Sequence, residues 1–426
     1  MTELNRMSAG EAAAAIARGE TTSEALVTAC LERIAAREDE VHAWCHLDPE
    51  QALEQARAAD RSPPKGPLHG VPVGIKDIID THDMPTRCGS PTYARRRPPS
   101  DASCVALVRH AGGIVMGKTV TTEFAFSTPR ETRNPHNTAH TPGGSSSGSA
   151  AAVADFMVPL AFGTQTAGSV IRPAAFCGIV AYKGSFGSLP LTGVKPLAPN
   201  LDSLGVFARN IADVALMRAL LTGAPAQVEP SATPPRIGLC RTYEWREAEP
   251  AMQQAVERAA HSAAKAGATV EEVTLPEAFG GLVEAQMTVL TYEGARALLS
   301  EYRLAPNDLS AGITAMIEEG LTLPYRQYVQ AWELARACQN EFARLLGDYE
   351  TLLAPSAPGE APEGLTSTGN AIFNRMWTFL HAACVNLPGH TGPRGLPLGV
   401  QAIGALGGDD RLLAVSSWLE RALGKA

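Results

Sequence analysis

The chain of 426 residues is short of charge, of aromatic residues and of long apolar runs, and each shortage removes a class of protein. Charged residues make up 19% against a usual ~25%, while hydrophobic residues reach 45%, so the chain can build a large core and lacks the signature of disorder. Basic residues are in deficit, 36 Lys+Arg against 44 Asp+Glu, which leaves a net charge of −8 and no basic surplus with which to hold a nucleic acid. No stretch reaches the ~18 apolar residues of a membrane helix; the most apolar run, Ala150 to Phe162, is shorter and carries Asp155. No membrane contact is expected. Met1 to Arg6 has no basic leader ahead of an apolar segment, so no secretory signal is expected. The eight cysteines are dispersed from Cys30 to Cys384 with no C-x-x-C pair and no histidine at zinc-ligand spacing, which predicts reduced packing thiols, a cytoplasmic location and no metal.

What is present reads as alternating helices and strands. Ser8 with Glu11, and Thr21 with Glu24, have capping-box spacing and open helical patterns. Pro63-Pro64-Lys65-Gly66-Pro67 is turn-rich, and from His69 onward short apolar runs such as Val71–Ile75 and Ile114–Met116 flank a helical Asp101 to His110. That mixture predicts an α/β sheet with helices packed on it. A Pro-rich stretch, Pro225 to Pro235, precedes a strand at Arg236 to Cys240, a helix at Met252 to Gly267 and a strand at Thr269 to Val273; Pro276 to Tyr349 is mainly helical.

Two motif matches fail on context. Gly112 to Thr119 fits G-x-x-x-x-G-K-[ST], but a phosphate loop needs a strand before it and a helix after it, and here that order is reversed. Gly144-Ser145-Ser146-Ser147-Gly148 fits G-x-S-x-G, yet the preceding Thr132 to Thr141 is too polar for the buried strand of a nucleophile elbow. A Ser-His-Asp triad would need a later histidine, and His381 and His390 sit in no distinctive setting.

A stronger constellation joins three segments: Gly70 to Asp77 with Lys76 closing an apolar run, the Gly/Ser-rich Thr141 to Ala152, and Gly163 to Pro173. A lysine at the end of such a run is desolvated, which makes a neutral amine available as a base. Taken singly, Lys76 reads as a surface lysine and each serine as a helix cap. In this order, with Ser145 and Ser169 separated by 24 positions, the three segments resemble the amidase signature family, with malonamidase-like members nearest in look through Gly168-Ser169-Val170-Ile171-Arg172-Pro173. Ser147, Gln165 and Ala167 depart from the usual Gly, Asp and Gly of that pattern.

The resemblance implies a cofactor-free serine hydrolase with an amidase signature α/β fold, a single large mixed β-sheet covered by helices on both faces. It implies one domain over 1–426: N-terminal helices in 1–65, a catalytic core in 66–225, a variable helical region near 276–349 and a return to the core in 350–426. It implies Ser169 as nucleophile, Ser145 in a cis peptide with Gly144 as relay and Lys76 as terminal base. It also implies an oxyanion hole along Thr166, Ala167, Gly168 and Ser169, and a Ser146 that supports Lys76 by hydrogen bonding. Arg172 is the candidate for substrate binding, either holding a substrate carboxylate or pairing with a carboxylate of the scaffold. The substrates implied are small amides, with carbamates (urethanes) and anilides as related acyl compounds, handled by a monomer or homodimer. The alternatives are a malonamidase-like hydrolase of carboxylate-bearing amides and an amidotransferase A-type subunit that needs partner chains. Met84, Phe373, Met376 and Trp377 are expected to line the cleft if the substrate is neutral and apolar.

Overall fold

The computed structural model describes residues 3–224, 231 and 233–424, so most of the Pro225 to Pro235 stretch lies outside the described residues. Eleven strands form one mixed sheet: β1 Trp44–Leu47, β2 Pro72–Lys76, β3 Ile114–Thr119, β4 Leu160–Gln165, β5 Val180–Lys183, β6 Ser203–Ala208, β7 Arg236–Cys240, β8 Thr269–Val273, β9 Thr351–Pro355, β10 Ala383–Thr391 and β11 Pro397–Gly404. Their order across the sheet is β1-β3-β2-β4-β6-β5-β10-β11-β9-β7-β8. The last two strands of the chain therefore sit in its middle, where β10 pairs with β5 and β11 with β9.

β2 runs parallel to both β3 and β4, and all three are buried along their whole length. Burial of every residue, not every second one, requires cover on both faces of the sheet, and it explains why these strands read as continuous apolar runs. The far edge differs. β8 exposes Thr269, Glu271 and Glu272, and charges on an edge strand discourage pairing with another chain. At β5, Lys183 is wholly buried with its ammonium donating to the Gly184 carbonyl at 2.7 Å, and burial lowers its pKa.

Local signals in the sequence explain most element ends. Ser8 and Glu11 form a reciprocal capping box at helix Ala9–Ala17. The next helix, Ser23–Val41, begins one residue later than its spacing predicts, because Thr22, not Thr21, accepts the Ala25 N–H. Strand β1 interrupts the segment expected to be helical throughout. The 276–349 region is built from helices, including Leu282–Ala297, Ala311–Thr322 and Tyr325–Leu345. Lys118, the lysine of the phosphate-loop match, is fully buried in β3, donates to the Ile79 carbonyl and Thr86 hydroxyl at 2.7 Å each, and stands 3.4 Å from Asp77. It is a structural residue on a strand.

Candidate active site

Lys76 is the last residue of β2 and has no solvent exposure. Its Nζ lies 2.7 Å from Ser145 Oγ, 2.8 Å from Thr164 Oγ1 and 3.5 Å from the Thr164 carbonyl. Burial drives its pKa well below the usual lysine value, and the field of Asp202 opposes that only in part. Ser145 follows Gly144 through a cis peptide bond and stands just ahead of helix Ser147–Ala154. That helix packs tightly on the sheet: a Cβ at Gly148 would lie 2.2 Å from the Ala43 carbonyl oxygen and 2.3 Å from the Val120 nitrogen.

Ser169 sits between the end of β4 and helix Ile171–Cys177, on the wall of a pocket of about 150 Å³. Thr166 and Ala167 line the same pocket, as do Phe126, Leu197 and Leu290. Among the described residues, the backbone N–H groups of Ala167, Gly168 and Ser169 donate to no protein acceptor, whereas those of Val170 and Ile171 are taken by Gln165 Oε1 at 2.9 and 3.1 Å. Consecutive free donors beside a serine hydroxyl are what a developing oxyanion requires. Gln165 Nε2 also donates to Thr378 Oγ1 at 2.9 Å, and that hydroxyl donates to the Ala167 carbonyl at 2.7 Å. A side chain with both an acceptor and a donor thus pins the loop at two points. Thr166 is pinned separately: its hydroxyl donates to Asp202 at 2.5 Å, and the second Asp202 oxygen accepts from Leu197 N and Ala198 N. Burial pushes the Asp202 carboxyl up to about 6 against those hydrogen bonds.

The structure brings Lys76 and Ser145 into contact and places Ser169, Thr166, Ala167 and Arg172 together on one pocket wall. Gly168 is packed behind that wall, where a Cβ would meet Asn374 Oδ1 at 2.4 Å. Ser146 departs from expectation. It reaches Thr164 rather than Lys76, donating to the Thr164 carbonyl and accepting its N–H at 3.3 Å, so the support runs through Thr164. Arg172 donates through Nη2 to the Gly144 carbonyl at 2.6 Å and to Thr368 Oγ1 at 3.1 Å, with no carboxylate partner among the described residues. Burial, then the neighbouring Arg375, lowers its pKa to about 9.

The expected apolar lining is not there. Met84, Phe373, Met376 and Trp377 are each at most 1% exposed and belong to the hydrophobic cores, the last three because helix Ile372–Phe379 turns these large side chains inward. Thr164, Asp202, Gln286 and Arg375 are the site residues that sequence reasoning missed. Asp202 carried a weak signal as an acid heading the apolar β6, and Arg375 another as one cation inside an apolar run; Thr164 and Gln286 carried none. A wider groove of about 1100 Å³, lined by Arg258, His261 and His390 among others, holds none of the groups described above.

A family model described as Amidase matches residues 25–413. The glutamyl-tRNA(Gln) amidotransferase A-type subunit of Chloroflexus aggregans is 32% identical, with 99% of this chain and 97% of that protein covered. A crystal structure of an amidase superposes with a TM-score of 0.91 at 30% identity, covering 97% of this chain and 99% of the other. The peptide amidase of Stenotrophomonas maltophilia gives 0.83 at 26% identity over 98% and 96%.

Proposed function

Since the chain belongs to the Amidase family, the amidase signature enzymes acting on carbon–nitrogen bonds, we propose that it cleaves the carboxamide of small carboxylate-bearing amides through an acyl-enzyme on Ser169. The observation that carries this reading is the 2.7 Å contact of a fully buried Lys76 with Ser145, beside a pocket that presents Ser169 and free backbone donors. A neutral amine can donate to the Thr164 carbonyl and hydroxyl and turn its lone pair to the Ser145 hydroxyl. Ser145 then passes its proton to Lys76 as it takes the proton of Ser169, and the Ser169 oxygen attacks the amide carbon. The N–H groups of Ala167, Gly168 and Ser169 face the resulting oxyanion, each such donor being worth about 3 kcal/mol. Running the relay backwards protonates the leaving nitrogen, and water repeats the sequence to free the acid.

Arg172 supports an acidic substrate over a neutral carbamate or anilide: it lines the pocket, its Nε has no acceptor, and among the described residues no carboxylate balances its charge, although Gly144 and Thr368 hold its Nη2. Glutamine falls in this chemical class, and the amidotransferase relative favours a second reading in which the released ammonia passes to a partner chain. The alignment with that relative spans 481 positions against 426 residues here, so at least 55 positions have no counterpart in this chain. Ammonia release by the purified chain from glutamine, succinamate, butyramide and a neutral carbamate tests both. Turnover of the acidic amides by the lone chain, lost in Ser169→Ala with the thermal midpoint kept, is expected. Turnover that survives Ser169→Ala rejects the acyl-enzyme, and activity that appears only on adding partner chains selects the second reading.

A further inference from the structure

The pocket that holds Ser169 contains a second guanidinium. Arg375, from helix Ile372–Phe379, lines it together with Arg172, and the two lie close enough for Arg375 to be the charge that acts on Arg172. Arg375 Nη1 donates to Gln286 Oε1 at 2.6 Å, and Gln286 Nε2 donates to the Thr166 carbonyl at 2.9 Å. Arg172 Nε is buried without an acceptor. Among the described residues, neither guanidinium has a carboxylate oxygen within 4.0 Å, and the nearby Asp202 is occupied by Thr166, Leu197 and Ala198. Arg172 is buried and Arg375 half-buried; two like charges on one pocket repel each other, the buried one also loses its hydration, and an anion between them offsets both penalties.

We propose that Arg375 is the second arm of an anion seat whose first arm is Arg172, and that a carboxylate at the far end of a short acyl chain bridges the two while its amide reaches Ser169. This rests on the Ser169 reading for the position of the amide. The chemistry of the arms suits the ligand: guanidinium forks take carboxylate oxygens in pairs, and Asn370 in the same pocket offers a further polar contact. The pocket, of about 150 Å³, suits a small ligand. Gln286 ties the seat to the oxyanion loop, because the side chain that holds Arg375 also holds the Thr166 carbonyl. Arg375 is therefore a specificity residue that reads the acyl end.

Calorimetric titration of the whole chain with malonate, succinate and glutarate, with butyramide as the neutral probe, tests the seat. At least one dianion is expected to bind and butyramide is not expected to displace it. Arg375→Met should weaken the bound dianion tenfold or more, and Arg375→Lys should weaken it by less, since a lysine keeps the charge but loses the fork. Should Arg375→Met fail to fold, Arg375→Gln, which can keep a bond to Gln286, takes its place with the same tenfold criterion. Binding to Ser169→Ala should persist. If no dianion binds the wild type, or if the Met or Gln variant binds it as tightly as the wild type, the seat does not exist. Turnover separates this failure from failure of the wider reading. Succinamate and butyramide hydrolysed at equal kcat/KM would remove the seat and leave the amidase. Succinate held through Arg375 with neither amide hydrolysed by the lone chain would remove the stand-alone amidase reading and leave the seat.

Discussion

Three oxygens surround the Lys76 nitrogen, and how they share its protons sets the pH behaviour of the site. The relay needs the neutral amine, and burial favours it by lowering the pKa well below the usual lysine value. Below that lowered value the lysine is protonated and cannot accept from Ser145, so kcat/KM should climb with pH through it and then level. Lys76→Ala should flatten the climb and cost about 10²–10⁴ in rate, read from pH profiles of both proteins. A profile that keeps its shape in the variant would take Lys76 out of the relay. Thr164→Val tests the arrangement more gently. Removing Oγ1 leaves the buried nitrogen one partner short, at about 1–2 kcal/mol, so kcat should fall roughly five- to thirtyfold with KM little changed. An unaltered kcat would show that Thr164 only fills space.

Helix Ser147–Ala154 carries Ser145 at its approach, and its closeness to the sheet depends on Gly148. A methyl at that position would meet backbone, which cannot rotate away, so Gly148→Ala should lose about 3 kcal/mol in urea unfolding. It should also lower kcat by displacing Ser145; unchanged stability would mean that the helix can slide. Elements of this kind explain what was legible in advance. The buried parallel strands β2, β3 and β4 announce themselves as apolar runs between turns, and the three segments that converge on the site lie at or beside their ends. Strand β1 escaped notice because its four residues, Trp44 to Leu47, mix apolar and polar side chains between two helices. On helix Ile372–Phe379 the sequence pointed to the apolar residues for the cleft and gave Arg375 no role. Sequence alone does not say which face of an eight-residue helix looks into a pocket, and here the cation faces it while Phe373, Met376 and Trp377 fill the cores.

Across the whole molecule the sheet consists of two flanks, β1 to β6 and β7 to β9, held together by the β10–β11 hairpin. In the order of synthesis that hairpin comes almost last. A ribosome finishes β6 at Ala208 and does not complete β11 until Gly404, an interval of roughly 10–40 s at ~5–20 residues per second. Throughout it the β5 edge that β10 will cover has no partner, and an unpaired strand edge recruits other chains. Lys183 lies on that strand. In the finished protein it is a poor core residue, buried with one carbonyl for its ammonium, but on a nascent chain its charge would interrupt the apolar edge and oppose pairing with neighbouring copies. Lys183→Met should therefore leave native stability equal or higher while lowering the soluble yield, measured by urea unfolding and by refolding at increasing protein concentration. Equal yields at every concentration would deny Lys183 this role. The position at which a strand enters the sheet then has a cost in time as well as in topology: a join made last leaves its edges waiting, and the waiting edge keeps a charge that the completed core has no use for.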